Sequence, residues 1–199
     1  AEVPPEEAGL APLTAEPGGY VCGYGDMPLD AEPMGELVYH HILQTAQKYV
    51  HIMTPYLILD HDTEQALTFA AKRGIDVSII LPHVPDKKYT YYLARTHYET
   101  LISAGVRVYE FLPGFVHAKV FVSDDKVCTV GSINLDYRSL YLHYECGAYF
   151  YKAPVVQAVE RDFQEMLTCC HQMTLQDCQQ YSPVKKGLGM ALRLVAPLM

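Results

Sequence analysis

The sequence predicts an α/β fold: a mixed β-sheet flanked by helices. Three observations point to it. Strand-length apolar runs alternate with helical periodicity between residues 34 and 111. Two of those helical segments stop at a glycine. Strands then cluster with no long helix between them. Leu37, Val38, His41, Ile42 and Ala46 fall at helical spacing and predict a helix over about 34–47. Val50-His-Ile-Met-Thr is a short strand closed by Pro55, and a helix over about 61–73 ends at Gly74, a favourable residue just past a helix end. Ile75 to Leu81 is the next strand. A tyrosine-rich helix over about 88–104 ends at Gly105, and Val106 to Phe111 is a strand. Strands over 117–123 and 126–131 are joined by Asp124-Asp125, a hairpin-type turn. Glu145 to Tyr151 is the last strand expected, with a helix over about 154–170.

Charge is distributed unevenly. The 199 residues hold 15 Lys and Arg against 23 Asp and Glu, yet residues 1–36 carry eight acids and no Lys or Arg, the first base being Lys48. Residues 37–199 are therefore neutral overall. Residues 1–33 also hold six of the thirteen prolines and five glycines, so they read as an acidic linker before a folded body at 34–182. The start at Ala1 rather than Met suggests a piece of a longer chain. A neutral body argues against tight binding of nucleic acid, which favours a basic surplus. No run of 18 apolar residues exists, and no basic-then-apolar leader precedes the body.

The six cysteines, Cys22, Cys128, Cys146, Cys169, Cys170 and Cys178, form no CxxC pair and read as reduced thiols of a cytosol-facing protein. The nine histidines show no HExxH and no clustering with cysteine, so no metal site is expected. Residues 183–199 form an apolar tail with three bases and no acids. The tail is too short to span a bilayer but suited to an anionic membrane surface, or to packing on the body. Tyr89, Tyr91 and Tyr92 suit either a groove or the seam between helix and sheet.

The chemistry concentrates in His117-Ala-Lys119-Val-Phe-Val-Ser-Asp124, followed by Gly131-Ser132-Ile-Asn134. On a strand His117 and Lys119 share a face. An imidazole beside an ammonium suits a phosphate: the lysine holds an oxygen while the imidazole attacks phosphorus or moves a proton. Gly131 permits close backbone approach, and Ser132 and Asn134 add small polar groups. Three fixed residues arise by chance in roughly 2–3% of chains of this length, whereas all six arise on the order of once in a million.

The pattern HxKxxxxD, six residues, then GSxN resembles the signature of the phospholipase D superfamily. Residues 131–140, Thr54-Pro55-Tyr56 and Glu145 make about 35–180 similar to the C-terminal half of bacterial cardiolipin synthases. Leu57-Ile58-Leu59-Asp60 departs from that family's frequent Phe-x-Pro-Asp. The resemblance implies a phosphatidyltransferase that joins two phosphatidylglycerols through a phosphohistidine intermediate, with no cofactor or metal, at a bacterial cell membrane with the catalytic domain on the cytoplasmic side. It implies His117, Lys119, Asp124 and Glu145 as catalytic residues, Glu145 orienting the imidazole and Asp124 organising its turn. Lys119, Ser132 and Asn134 would bind phosphate. Asp136 and Arg138 either pair with each other or bind a headgroup.

The family's site uses two such motifs, and only one histidine here is followed two residues later by lysine. A second phospholipase D-like half, in the same chain or as a homodimer mate, is therefore the expected partner, beside phospholipid substrate and membrane surface. The alternative is a single-motif homodimeric phosphodiesterase or nuclease. A third reading is a non-catalytic binding module.

Overall fold

A computed structural model describes residues 18–29 and 32–198. Strand β1 (Tyr20–Asp26) is followed by helix α1 (Met34–Thr45), β2 (Tyr49–Met53), α2 (His61–Lys72), β3 (Asp76–Pro82), α3 (Lys88–Ser103) and β4 (Arg107–Phe111). Then come β5 (Val120–Ser123), β6 (Val127–Gly131), a π-helical turn at Arg138–Leu142, β7 (Glu145–Tyr151) and α4 (Pro154–Leu167). The chain finishes with β8 (Cys170–Gln172), α5 (Leu175–Gln180), α6 (Pro183–Arg193) and a short 3-10 turn at Ala196–Leu198.

All eight strands belong to one mixed sheet, ordered β1-β7-β6-β5-β2-β3-β4-β8. Strands β2, β3 and β4 are parallel neighbours, and the remaining pairs are antiparallel. Strand β3 shows why helices cover both faces. Six of its seven residues are buried, as a near-continuous apolar strand requires. Val77, Ile79 and Leu81 pack towards α1, α2 and α3, while Ile80 joins Met53, Tyr109, Val120 and Phe163 of α4 on the opposite face. The expected α/β class is therefore found.

This topology collects one set of strand ends. The carboxyl ends of β2, β3 and β6 lie beside the amino ends of β5 and β7, because Met53 pairs with Val120 and Gly131 with Gly147. Ligands in open α/β sheets are commonly bound at such strand ends. Gly131 is needed there: a Cβ would collide with the carbonyl oxygen of Cys146 across the ladder. The opposite end of β5 closes in a tight turn where Asp124 and Asp125 both have φ of 56°, the conformation of a primed hairpin turn.

Two expectations need correction, and a third is settled between its alternatives. The linker expected over 1–33 holds strand β1 within it, because Tyr20–Asp26 pairs residue for residue with β7, and Asp26 accepts the Gly35 N–H at 2.7 Å. Residues 1–17 of that linker lie outside the described residues. The described part of the tail, 183–198, packs on the body, one of the two alternatives expected for it. It forms α6, seated on α3 where Gly189 lies so close to the Tyr92 carbonyl that no Cβ would fit, with Lys186 Nζ 2.7 Å from Glu99 Oε2. Finally, the strand expected from 117 starts at Val120, although the Gly131 N–H still reaches the Lys119 carbonyl at 3.3 Å.

Two buried polar clusters tie the helices to the sheet. Glu110 of β4, 2% exposed, accepts from Arg95 at 2.9 Å and lies 2.7 Å from His83 Nδ1, with the Tyr91 and Tyr98 hydroxyls also on its oxygens. His97 of α3 is fully buried, its Nδ1 2.5 Å from Glu64 of α2. Among the described residues no helix is long and apolar enough to cross a membrane, and the six cysteines are free.

Candidate active site

His117 stands exposed in the extended stretch leading into β5, its ring stacked against Phe115 with 5.8 Å between ring centroids. Lys119, two residues on, is buried at 8% exposure and donates to the His117 carbonyl at 2.7 Å. Burial pushes the Lys119 ammonium below its ordinary pKa, and the nearby carboxylates of Glu145 and Asp136 pull it back up. A partly desolvated cation of this kind favours an anionic ligand.

After β6 the chain crosses back over the sheet end. The Ser132 N–H donates to the Cys146 carbonyl at 2.9 Å and the Tyr39 hydroxyl donates to the Ile133 carbonyl at 2.6 Å. The Ile58 N–H donates to the Leu135 carbonyl at 2.8 Å, locking residues 54–58 to the motif loop. Asp60 caps α2 through the Thr63 N–H at 2.6 Å and accepts from Tyr141 at 2.6 Å.

A chain of hydrogen bonds runs through this loop. The Asn134 amide donates to Ser139 Oγ at 2.9 Å, and the Ser139 hydroxyl donates to Glu145 Oε1 at 2.9 Å. The Ser132 hydroxyl donates to the other oxygen, Glu145 Oε2. Asp136, buried at 6% exposure, accepts the Ser139 N–H at 2.7 Å. Burial pushes the Asp136 carboxyl up, partly offset by its hydrogen bonds to Ser139.

The structure thus brings Ser132, Asn134 and Glu145 into one network through Ser139, with Lys119 within electrostatic reach of Glu145 and Asp136. Two expectations are corrected, and one of the two alternatives for Asp136 and Arg138 is not found. Glu145 makes no hydrogen bond to His117 among the described residues, because the Ser132 and Ser139 hydroxyls hold its two oxygens. Asp124 sits at the opposite end of β5 and accepts the N–H groups of Gln47, Lys48 and Tyr49 at 2.8, 2.9 and 3.0 Å. Burial alone would raise its pKa, but these backbone donors outweigh it and hold the carboxyl below its ordinary value. Asp136 and Arg138 form no ion pair either, Asp136 being turned to Ser139. Sequence reasoning gave Ser139 no role; it meets Asn134 across five residues of mostly irregular chain, at the start of the π-helical turn. No group of three His, Cys, Asp or Glu suited to a metal occurs among the described residues.

Comparisons with known proteins follow the same lines. Residues 39–167 match the family described as cardiolipin synthase, PLD-like domain. A cardiolipin synthase of Clostridium perfringens strain SM101 is 37% identical over 161 residues, 81% of this chain and 34% of that protein. An uncharacterized protein of Streptococcus mutans serotype c is 51% identical over 181 residues, 91% of this chain and 39% of that one. The chain thus spans between a third and two fifths of the length of these curated relatives. Among solved structures, the phosphatidylserine synthase of Haemophilus influenzae Rd KW20 aligns with TM-score 0.73 at 17% identity, over 90% of this chain and 47% of that one. The phospholipase D family member Nuc of Salmonella typhimurium aligns with TM-score 0.65 at 16% identity, over 77% of this chain and 99% of its own. These two share the fold. From family match, sequence relatives and fold together, the chain belongs to the phospholipase D-like domain family of cardiolipin synthases.

Proposed function

We propose that residues 34–182 form one catalytic half of a phosphatidyltransferase that makes cardiolipin from two phosphatidylglycerols. The observation that carries this reading is the buried, desolvated Lys119, which donates to the carbonyl of the exposed His117 and lies within electrostatic reach of Glu145 in the Asn134–Ser139–Glu145–Ser132 network. Lys119, Ser132 and Asn134 hold the phosphate oxygens. In the first step an imidazole nitrogen attacks phosphorus, the bond from phosphorus to the headgroup oxygen breaks, and the leaving glycerol takes a proton from the facing acid. In the second, a hydroxyl of the other phosphatidylglycerol gives its proton to that group and attacks phosphorus. The phosphorus–nitrogen bond then breaks.

His117 serves as the nucleophile or as the facing acid and base. A second phospholipase D-like half provides the other histidine, from the same polypeptide or from a second copy. Glu145 acts on the site through Ser132 and Ser139, and Asp124 acts on the loop before β2. The substrate is a membrane lipid, so the domain works on the cytoplasmic side of a bacterial cell membrane. Val184 and Leu194 on or next to α6, 80% and 84% exposed, support contact with that surface beside Lys185.

The test is to supply phosphatidylglycerol vesicles to the longer protein that carries this chain with a second histidine-lysine half. Cardiolipin and free glycerol should appear in equal amounts, and glycerol release without cardiolipin would contradict transfer. The second reading, a homodimeric phosphodiesterase, draws on the nearly complete coverage of Nuc by this one unit. It requires this chain alone to dimerise and cleave bis(p-nitrophenyl) phosphate.

A further inference from the structure

The part of the site suited to an anion also contains two acids. The Ser139 hydroxyl donates to Glu145 Oε1 at 2.9 Å, and the Ser139 N–H donates to Asp136 at 2.7 Å. Both carboxylates act on the Lys119 ammonium, which is 8% exposed. One buried cation against two carboxylates leaves the set net negative before a ligand arrives. Asp136, 6% exposed, lines a pocket of about 370 Å³ with Asn134, Ser139 and Tyr56, so its charge reaches whatever enters there. Lys87, Arg138 and His143 line the same pocket, but all three are exposed. Water screens an exposed charge, whereas a buried one acts through a lower dielectric.

That charge bears on one chemical distinction. At neutral pH a phosphodiester carries one negative charge, while a phosphomonoester carries nearly two, its second pKa lying at about 6. Lys119 meets the first charge, and a second would stand against Asp136 and Glu145. The Ser132 and Ser139 hydroxyls occupy both oxygens of Glu145, so Asp136 is the carboxylate with a field less fully answered by donors. The Ser139 N–H and Arg138 favour its ionised form, against burial and the charge of Glu145. Tyr39 and Tyr56 also feel that charge, and burial keeps both hydroxyls protonated.

We propose that Asp136 determines the specificity of this site by charge: it rejects phosphomonoesters, whose phosphate is dianionic, and leaves phosphodiesters to bind. A lipid ending in a bare phosphate is thereby kept from His117 and Lys119, whatever its acyl chains. Asp136 takes no part in making or breaking bonds. The phosphate's place at Lys119 and Asn134, and the diester's role as a phosphatidyl donor, rest on the reading of the chain as a phosphatidyltransferase. The direction of the selection rests on Asp136.

The probes are dimethyl phosphate and methyl phosphate, titrated into this chain and followed by the backbone amide NMR signals of Lys119 and residues 132–139. At about pH 8 wild type should bind the dimethyl ester at least about threefold more tightly. Asp136→Asn keeps an acceptor for the Ser139 N–H and removes the charge. Both esters should then bind more tightly, methyl phosphate by the larger factor, so the ratio of the two Kd values shifts about fivefold or more towards it. A merely structural lesion weakens both alike and leaves the ratio in place. Asp162→Asn, an exposed carboxylate on α4, should move the ratio less than about twofold. Wild type gives a second measurement that needs no variant: at about pH 5 methyl phosphate carries one charge, and the preference should vanish. An unchanged ratio in Asp136→Asn overturns the assignment, as does a wild type that prefers methyl phosphate at the higher pH or keeps its preference at the lower. Failure of both esters to bind overturns it too. Cardiolipin formation by the longer protein is measured separately. If it is absent while the ratio shifts, the transferase reading falls and a site selective for monoanionic phosphate remains. If it is present while the ratio stays, the role of Asp136 alone falls.

Discussion

Ser139 donates its hydroxyl to Glu145 Oε1 at 2.9 Å and is the one residue that joins Asn134 of the motif loop to the first residue of β7. Ser139→Ala would strand the Asn134 amide and free one oxygen of a partly buried carboxylate. Loss of a buried hydrogen-bond partner costs about 1–3 kcal/mol. Urea unfolding of this chain should register a loss in that range, and transfer by the longer protein should fall about tenfold or more as Asn134 loses its position. A variant with unchanged stability and rate would show the link to be idle.

Asp124 holds three backbone N–H groups at the far end of β5, so its variant should damage stability rather than chemistry. Asp124→Asn presents one acceptor oxygen in place of two and loses the charge, a change worth about 1–3 kcal/mol in unfolding experiments. Below the melting transition, kcat per folded molecule should stay within about threefold of wild type. A loss of kcat on the scale expected for a catalytic group, about 10² or more, would return Asp124 to the site.

Glu110 is a carboxylate in the middle of an apolar sheet, with Arg95 as its buried partner. Truncation to alanine leaves the Arg95 guanidinium, itself 8% exposed, without its counter-ion. Breaking one side of a buried pair costs about 3–5 kcal/mol, which should appear as a large drop in the urea midpoint. A drop equivalent to less than about 1 kcal/mol would mean that water or the tyrosines replace the pair.

The His97–Glu64 contact makes stability depend on pH. The His97 ring sits neutral, Nδ1–H donating to Glu64, while Nε2 is buried without a partner. Burial pushes its pKa below the ordinary 6.5, against the pull of Glu64. A histidine whose folded pKa is depressed stabilises the fold above the unfolded value, and that contribution fades as pH falls through 6.5 towards the folded value. Unfolding free energy should therefore decline below about pH 6.5, and His97→Gln, which keeps a donor to Glu64, should flatten that decline. An identical pH slope in the variant would place the dependence elsewhere.

The motif from His117 to Asn134 was legible because its chemistry lies in consecutive spacing, and a hairpin preserves that spacing in space. The alternation of apolar runs and glycine stops also located α1 to α3 and β2 to β4 within a residue or two. Strand β1 was not legible: Tyr-Val-Cys-Gly-Tyr-Gly-Asp has no apolar alternation of its own and exists through pairing with β7, more than 100 residues away. Helix α6 was read only as an apolar, basic tail from its composition, and its approach to α3 depends on Gly189, where a Cβ would meet the Tyr92 carbonyl. The Glu145 network was half legible. The carboxylate was foreseen, but the direction it faces depends on a π-helical turn that brings Ser139 to it and leaves His117 aside.

The central claim is that His117 performs phosphatidyl transfer, and the direct measurement is the rate of cardiolipin formation by the longer protein carrying His117→Ala. His117 is exposed and makes no hydrogen bond through its ring among the described residues, so the variant should fold like wild type. The account predicts a rate at least about 10³-fold below wild type, the loss expected for a nucleophile or its facing acid. A variant that makes cardiolipin within about tenfold of the wild-type rate would contradict it.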